Sequence, residues 1–328
     1  MKEKRVMSGM RPTGKLHLGN LFGALENWIK LQNEYKCFFC IVDWHALTTG
    51  YEDTSDLQQY IREMAIDWLS AGIDPEKATV FVQSHVKDHA ELHLLLSMIT
   101  PISWLERNPT YKDQLKQLKE KNISTHGFLG YPVLQTADIL AYKAEKVPVG
   151  EDQLPHLELS REIARRFNYL YKPIFPEPQA LLNEVKTLPG IDGRKMSKSY
   201  NNTIEISDDA ATIRQKVSKM ITDPQRIRKT DPGNPEICTV YAFHKVFSDF
   251  EKRKEVDEEC RKGSIGCVDC KQRLAEIMIE TLNPIIQRRQ ELTKMPNYID
   301  DVLHEGKKRA EEIAEQTLDE VREAMNLV

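Results

Sequence analysis

The residues best suited to chemistry lie in two stretches far apart in the chain. Pro12-Thr13-Gly14-Lys15-Leu16-His17-Leu18-Gly19-Asn20 follows a short apolar run and opens a helical pattern. Small residues at a helix start let backbone N–H groups approach a nucleotide, and His17 adds a ring donor. Lys195-Met196-Ser197-Lys198-Ser199 follows Pro189-Gly190 and Asp192-Gly193, which places its lysines and hydroxyls on a loop. Such a loop suits the charge that develops on a reacting triphosphate. Taken singly, each stretch also has an ordinary reading, a glycine turn before a helix or a solvated Lys/Ser loop. No GxGxxG or Walker-type loop competes for the nucleotide.

A third block is Tyr131-Pro132-Val133-Leu134-Gln135-Thr136-Ala137-Asp138-Ile139-Leu140, followed by Val147-Pro148-Val149-Gly150-Glu151-Asp152-Gln153. On residue type alone, Asp138 reads as the cap of a helix that follows it. The cysteines divide into two groups. Cys37 and Cys40 form a C-x-x-C inside an apolar run, and in a strand residues three apart face opposite sides, so these are expected to be core thiols. Cys238, Cys260, Cys267 and Cys270 lie in a polar region loosened by Gly263 and Gly266. Four thiolates there suit either zinc or an iron–sulfur cluster, and the residues alone do not decide between them.

The elements that must position these groups change character along the chain. Val6 to Met10, Cys37 to Val42 and Thr79 to Val82 read as buried strands, with helical spacing through Leu21, Ala24, Leu25 and Trp28 and over Ile61 to Leu69. Strand and helix in alternation predict a parallel sheet covered by helices. From Ser207 helices dominate, over Asp208 to Met220, Gln272 to Leu292 and Ile299 to Met325. The expectation is an α/β catalytic domain followed by an α-helical C-terminal domain. Lys and Arg total 46 against 50 Asp and Glu, a net charge of −4, so a nucleic-acid partner must be met by a local patch rather than by bulk charge. The most apolar stretch, Leu92 to Leu105, is interrupted by His93, Ser97, Thr100, Pro101 and Ser103, and the N-terminus has no long apolar segment. No membrane association and a cytoplasmic location are expected.

Together, and in this order, the first two stretches resemble the HIGH and KMSKS motifs of class I aminoacyl-tRNA synthetases. The third block, with Asp43-Trp44-His45-Ala46-Leu47-Thr48 and the final helix, resembles bacterial tryptophanyl-tRNA synthetases over nearly the whole chain. The resemblance implies a Rossmann-like catalytic domain over 1–200 with a dimer-interface insertion at about 87–150, and a helical anticodon-binding domain over 201–328. It implies activation of L-tryptophan with ATP and Mg²⁺, then transfer to tryptophan tRNA by a homodimer. Carried over by position, Asp138 would accept the indole N–H, with Tyr131, Val147, Val149, Gln153, His45 and Met7 lining the amino-acid pocket. Arg11, Pro12, Thr13, Gly19, Asn20, Gly150, Glu151, Asp152 and Val185 would contact ATP with Lys195, Met196, Ser197, Lys198 and Ser199. His17, Lys195 and Lys198 would be catalytic, with Lys112 a further candidate for the pyrophosphate. Arg11 and Gln135 depart from the glutamine and methionine common in the family. A subgroup of the family carries a near-identical four-cysteine spacing for a four-iron, four-sulfur cluster, which favours that cluster over zinc at Cys238, Cys260, Cys267 and Cys270. Three other readings are a tyrosyl-type synthetase, a nucleotide-binding regulator on the same fold and a small-metabolite nucleotidyltransferase.

Overall fold

A computed structural model describes residues 4–109, 111–112, 123–182 and 188–327, with the Ser199 side chain outside that set. Val185 lies outside the described residues. Five strands form one sheet: β1 (Arg5–Met10), β2 (Lys36–Ile41), β3 (Ala78–Val82), β4 (Lys146–Val149) and β5 (Gln179–Leu182). Their order is β3-β2-β1-β4-β5, and every pairing is parallel. Parallel strands buried on both faces need continuous apolar sequence, which β2 and β3 supply with only Lys36 exposed. Val6, Cys37, Phe39, Val80 and Val82 point into one core layer; Met7, Phe38, Cys40 and Phe81 point into the other. Cys37 and Cys40 therefore face opposite sides of the sheet, as the strand reading requires.

The chain leaves β1 toward β2 and β3 on one side, and toward β4 and β5 on the other. This reversal opens a crevice beyond the carboxyl ends of β1 and β4, where open α/β sheets bind ligands. The connections are α1, a helical segment over 18–31 whose Leu21–Leu25 turn is a wide π turn, then α2 (Asp43–Gly50) and α3 (Leu57–Ala71). Next come α4 (Asp88–Ile99), α5 (Ile102–Arg107), α6 (His126–Ala141) and α7 (Leu154–Leu170). Asp138 lies deep in α6, whose N-cap is Thr125, so the capping role read from residue type is corrected.

The second half is helical: α8 (Ala210–Ser218), α9 (Thr239–Phe247), α10 (Phe250–Lys262), α11 (Cys267–Thr293) and α12 (Pro296–Ala324). α11 packs on α3 and α8, and α12 returns to lie against β3, α4 and α6. At Gly306 a Cβ would overlap the Val80 carbonyl oxygen, so the backbone of α12 rests directly on β3. An edge strand is thereby covered, which protects it from pairing with another chain. No described helix is long and apolar enough to cross a membrane.

Candidate active site

A cavity of about 380 Å³ opens at the carboxyl ends of β1 and β4. Met7, Ser8, Gly9, Met10 and Arg11 line it from β1, and Val147 to Gly150 from β4. α2 contributes His45, α6 contributes Tyr131, Gln135 and Asp138, and the start of α7 brings Gln153 and His156. All seven residues expected around an amino acid therefore meet in one cavity: Asp138, Tyr131, Gln153, His45, Val147, Val149 and Met7. The π turn of α1 brings Gly23 and Ala24 to its wall. Such turns are rare and gather at functional sites.

Asp138 is 4% exposed, and each of its oxygens is hydrogen-bonded. His45 Nε2 lies 2.9 Å from Oδ2, while His89 Nδ1 at 2.6 Å and Gln83 Nε2 at 2.7 Å reach Oδ1. Burial pushes this carboxyl up, but the hydrogen bonds from His45 and His89 outweigh it and lower its pKa to about 2. The group is an anion throughout the physiological range. Nearer the start of the same helix, the Tyr131 hydroxyl is 2.8 Å from His156 Nε2, and Asn108 Nδ2 is 3.0 Å from His156 Nδ1. Burial lowers the His156 pKa to about 4, so the ring is neutral. Its Nδ1 accepts from the Asn108 amide, which leaves Nε2–H to donate to Tyr131.

The two motif loops, distant in sequence, are joined by backbone. Leu18 N–H donates to Ile204 at 2.9 Å, and Ile206 N–H donates to Leu16 at 2.9 Å. Gly14 sits at φ +116, where side chains are strained, and the Lys198 ammonium lies 3.2 Å from where its Cβ would be. Burial, with Lys198 adding to it, lowers the His17 pKa to about 4. His17 Nδ1 is buried without a hydrogen-bond partner among the described residues. Asn20 Oδ1 accepts from the His17 backbone N–H at 3.0 Å, and Gly19 shares that first turn.

Pro12 and Thr13 line a neighbouring polar recess with Asp53 to Leu57. Gly150 is at the cavity wall, and Glu151 and Asp152 begin the turn that leads into α7. Lys195 is exposed, Met196 is buried in the core, and the Ser197 N–H donates to Asn202 Oδ1 at 2.8 Å. Lys112 is exposed and lines none of these cavities.

Sequence reasoning missed Asn202, Gln83, His89, Tyr142 and Asn108. Asn202 is 1% exposed and donates to Asp192 Oδ1 and the Lys195 carbonyl, so it organises the lysine loop from within. Its only sequence signal is a polar residue just beyond that loop. Gln83 and His89 carried none, because polar residues beside a strand end and in a first helical turn look solvated.

The four distal cysteines come together from separate elements. Cys238 precedes α9, Cys260 is in the last turn of α10, and Cys267 and Cys270 begin α11. Burial, reinforced by Cys238, Cys260 and Cys267, pushes the Cys270 thiol up to about 12. Arg226 Nη1 lies 3.8 Å from Cys267 Sγ and 4.0 Å from Cys260 Sγ. All four thiols are free. Among the described residues, no group of three or more His, Cys, Asp or Glu side chains is arranged to hold a metal ion. The thiols converge, but neither the iron–sulfur nor the zinc expectation meets a formed ligand cage.

Known proteins resemble this chain over its full length. The family model for class I tRNA synthetases (W and Y) matches residues 1–283. The chain is 56% identical to a tryptophan–tRNA ligase of Thermotoga maritima, over 99% of each chain. With the tryptophan–tRNA ligase of Aquifex aeolicus identity is 51%, over 98% of this chain and 100% of the other. The tryptophanyl-tRNA synthetase of Campylobacter jejuni, in complex with ADP and tryptophan, superposes with a TM-score of 0.90 at 36% identity, covering 98% of this chain and 99% of that one. A tyrosyl-tRNA synthetase of Archaeoglobus fulgidus, at 20% identity and a TM-score of 0.67, shares the fold alone.

Proposed function

We propose how the cavity works from the premise that this chain belongs to the class I tRNA synthetases for tryptophan and tyrosine and is a tryptophan–tRNA ligase. It uses ATP, and it binds tryptophan and tRNA. The cavity at the β1/β4 crevice takes the tryptophan, whose indole N–H donates to Asp138. Tyr131, Gln153, His45, Val147, Val149 and Met7 surround it, and Gln135 adds a polar contact absent where methionine stands. The observation that carries this reading is a buried, ionised carboxylate on the wall of a partly apolar cavity, since a ligand without a donor leaves the remaining acceptor position on Oδ2, beside His45, unfilled. ADP and tryptophan together in the Campylobacter jejuni protein support adjacent nucleotide and amino-acid sites here.

ATP with Mg²⁺ would be held by Arg11, Pro12, Thr13, Gly19, Asn20, Gly150, Glu151 and Asp152, together with the Lys195–Ser199 loop. The tryptophan carboxylate attacks the α-phosphorus; the P–O bond to pyrophosphate breaks, and tryptophanyl-adenylate forms. The 3′-terminal ribose hydroxyl of the tRNA then takes the aminoacyl group, and AMP leaves. A carboxylate is already a nucleophile, so the first step needs no general base, and positioning and charge stabilisation carry it. Neutral His17 offers a ring nitrogen to the nucleotide, and Lys195 and Lys198 meet the charge on the departing pyrophosphate.

Asp138→Asn tests the amino-acid reading. Tryptophan-dependent ATP–pyrophosphate exchange should lose kcat/KM by about ten- to a hundredfold, consistent with one charged hydrogen bond. The melting temperature should change far less than this loss implies. Unchanged preference for tryptophan over phenylalanine and tyrosine in that variant would remove the indole contact.

The catalytic part spans 1–200, and 201–328 forms the helical part that meets the anticodon in the cytoplasm. Exposed Leu94, Met98 and Ile102 on α4 and α5, within the 87–150 insertion, support a homodimer through this face. The reading of Cys238, Cys260, Cys267 and Cys270 as the site of a four-iron, four-sulfur cluster that shapes the tRNA surface rests on their coming from separate elements into one region, without a formed ligand cage among the described residues. The four cysteines would hold such a cluster as thiolates, and it would supply a rigid cross-link there. Protein purified without oxygen should carry about four iron and four sulfide per chain. Stoichiometric zinc without sulfide would replace the cluster with the zinc alternative, and neither metal would leave four half-buried thiols.

A further inference from the structure

Two residues with no assigned role decide what Asp138 has left to offer. Gln83, at the end of β3, and His89, in the first turn of α4, are both fully buried, and both bond Asp138 Oδ1. The His89 ring is used at both ends, since its Nε2 lies 2.6 Å from the Tyr142 hydroxyl. An ionised carboxylate only accepts, so His89 Nδ1 carries a proton toward Oδ1, and Nε2 at the far end of the ring pairs with the Tyr142 hydroxyl. Gln83 must turn its amide N–H₂ toward the carboxylate, and its Oε1 is left buried without a partner among the described residues. An orphaned acceptor is costly, and this one is tolerated because the opposite amide orientation would set two acceptors against each other. Oδ1 then holds two donors, while among the described residues Oδ2 holds only His45, at 2.9 Å.

We propose that Gln83 and His89 are specificity-determining positioning residues. By saturating Oδ1 they leave Asp138 a single acceptor position, on Oδ2 beside His45, which fits a substrate ring carrying one N–H donor. This rests on the reading that Asp138 receives the indole. Tyr142 acts one step further out, because its hydroxyl holds the far end of the His89 ring at 2.6 Å and so fixes the ring's orientation toward Asp138.

The test compares two substrates in ATP–pyrophosphate exchange: tryptophan, and its benzothiophene analogue, in which sulfur replaces the ring N–H. The kcat/KM ratio between them reads the N–H contact alone, since shape and the reacting carboxylate are shared. His89→Leu and Gln83→Leu should each lower that ratio by about tenfold, through a raised KM for tryptophan, while the analogue keeps its kcat/KM. His89→Asn, whose amide N–H reaches toward the same oxygen, should restore part of the ratio, and Tyr142→Phe should give an intermediate loss. If His89→Leu does not fold, Gln83→Leu and Tyr142→Phe carry the comparison. Equal losses for both substrates would reduce these residues to packing and overturn the proposal. An unchanged ratio would also overturn it, provided Asp138→Asn collapses the ratio in the same assay. Should Asp138→Asn leave the ratio intact, the indole reading beneath the proposal fails instead.

Discussion

Lys198→Ala is expected to slow tryptophanyl-adenylate formation by about a hundred- to a thousandfold, the range found when one preorganised donor to a developing charge is removed. Tryptophan affinity should change little, because Lys198 is not among the residues lining the amino-acid cavity. The side chain is held over Gly14, at the entrance to the nucleotide loop, and burial lowers its pKa against the pull of Glu205 and Asp67. A partly desolvated ammonium gains most from a neighbouring anion, and that anion grows as pyrophosphate leaves. Lys195 is exposed on the same loop, and Lys195→Ala is likewise expected to cost less in ATP affinity than in turnover. Single-turnover adenylate formation at saturating substrates separates these quantities. A rise in tryptophan KM with turnover unchanged would show the loss of uniform binding rather than of transition-state stabilisation.

How far the sequence spoke depended on the kind of contact. The strands were legible because residues such as Phe38, Phe39 and Phe81 form short apolar runs that only a sheet covered on both faces can bury. The second half was legible through its long apolar stripes. The motif loops announced themselves by residue type, and the resemblance placed Asp138 where residue type suggested a helix cap. What sets the state of Asp138 was not legible, since His45 and the Gln83–His89 segment come from stretches about 90 and 50 residues away in the chain. Convergence of that kind is a property of the packed sheet and leaves no local spacing to read. The return of α12 to β3 was hidden for the same reason, although Gly306 within a long amphipathic helix marks where the backbone must approach closely.

One buried contact ties the helical half to the loop that holds Leu16 and His17, and its loss should be a large stability effect. Asp67, on α3, is fully buried; its Oδ1 accepts from Arg289 Nε of α11 at 2.7 Å, and its Oδ2 accepts from the Leu16 N–H at 3.3 Å. Arg289 also pairs with Glu63. Burial holds the Asp67 carboxyl above its ordinary range, and Arg289 and the Leu16 N–H pull it down without fully offsetting that. Removing the guanidinium from such a pair leaves an uncompensated charge, so Arg289→Met should cost about 3–5 kcal/mol. The sign of its pH dependence follows. Without Arg289 the folded-state pKa of Asp67 rises further above its unfolded value, and the deficit is largest where Asp67 must stay ionised. The difference in urea midpoint between wild type and Arg289→Met should therefore shrink as pH falls from 7 toward 4. Asp67→Leu combined with Arg289→Met removes both charges and should recover much of the loss, which a double-mutant cycle measures. That double variant also frees the Leu16 N–H beside His17, so ATP KM should rise even where stability returns. A stable double variant with unchanged ATP KM would mean that Asp67 anchors the helical half without shaping the nucleotide loop.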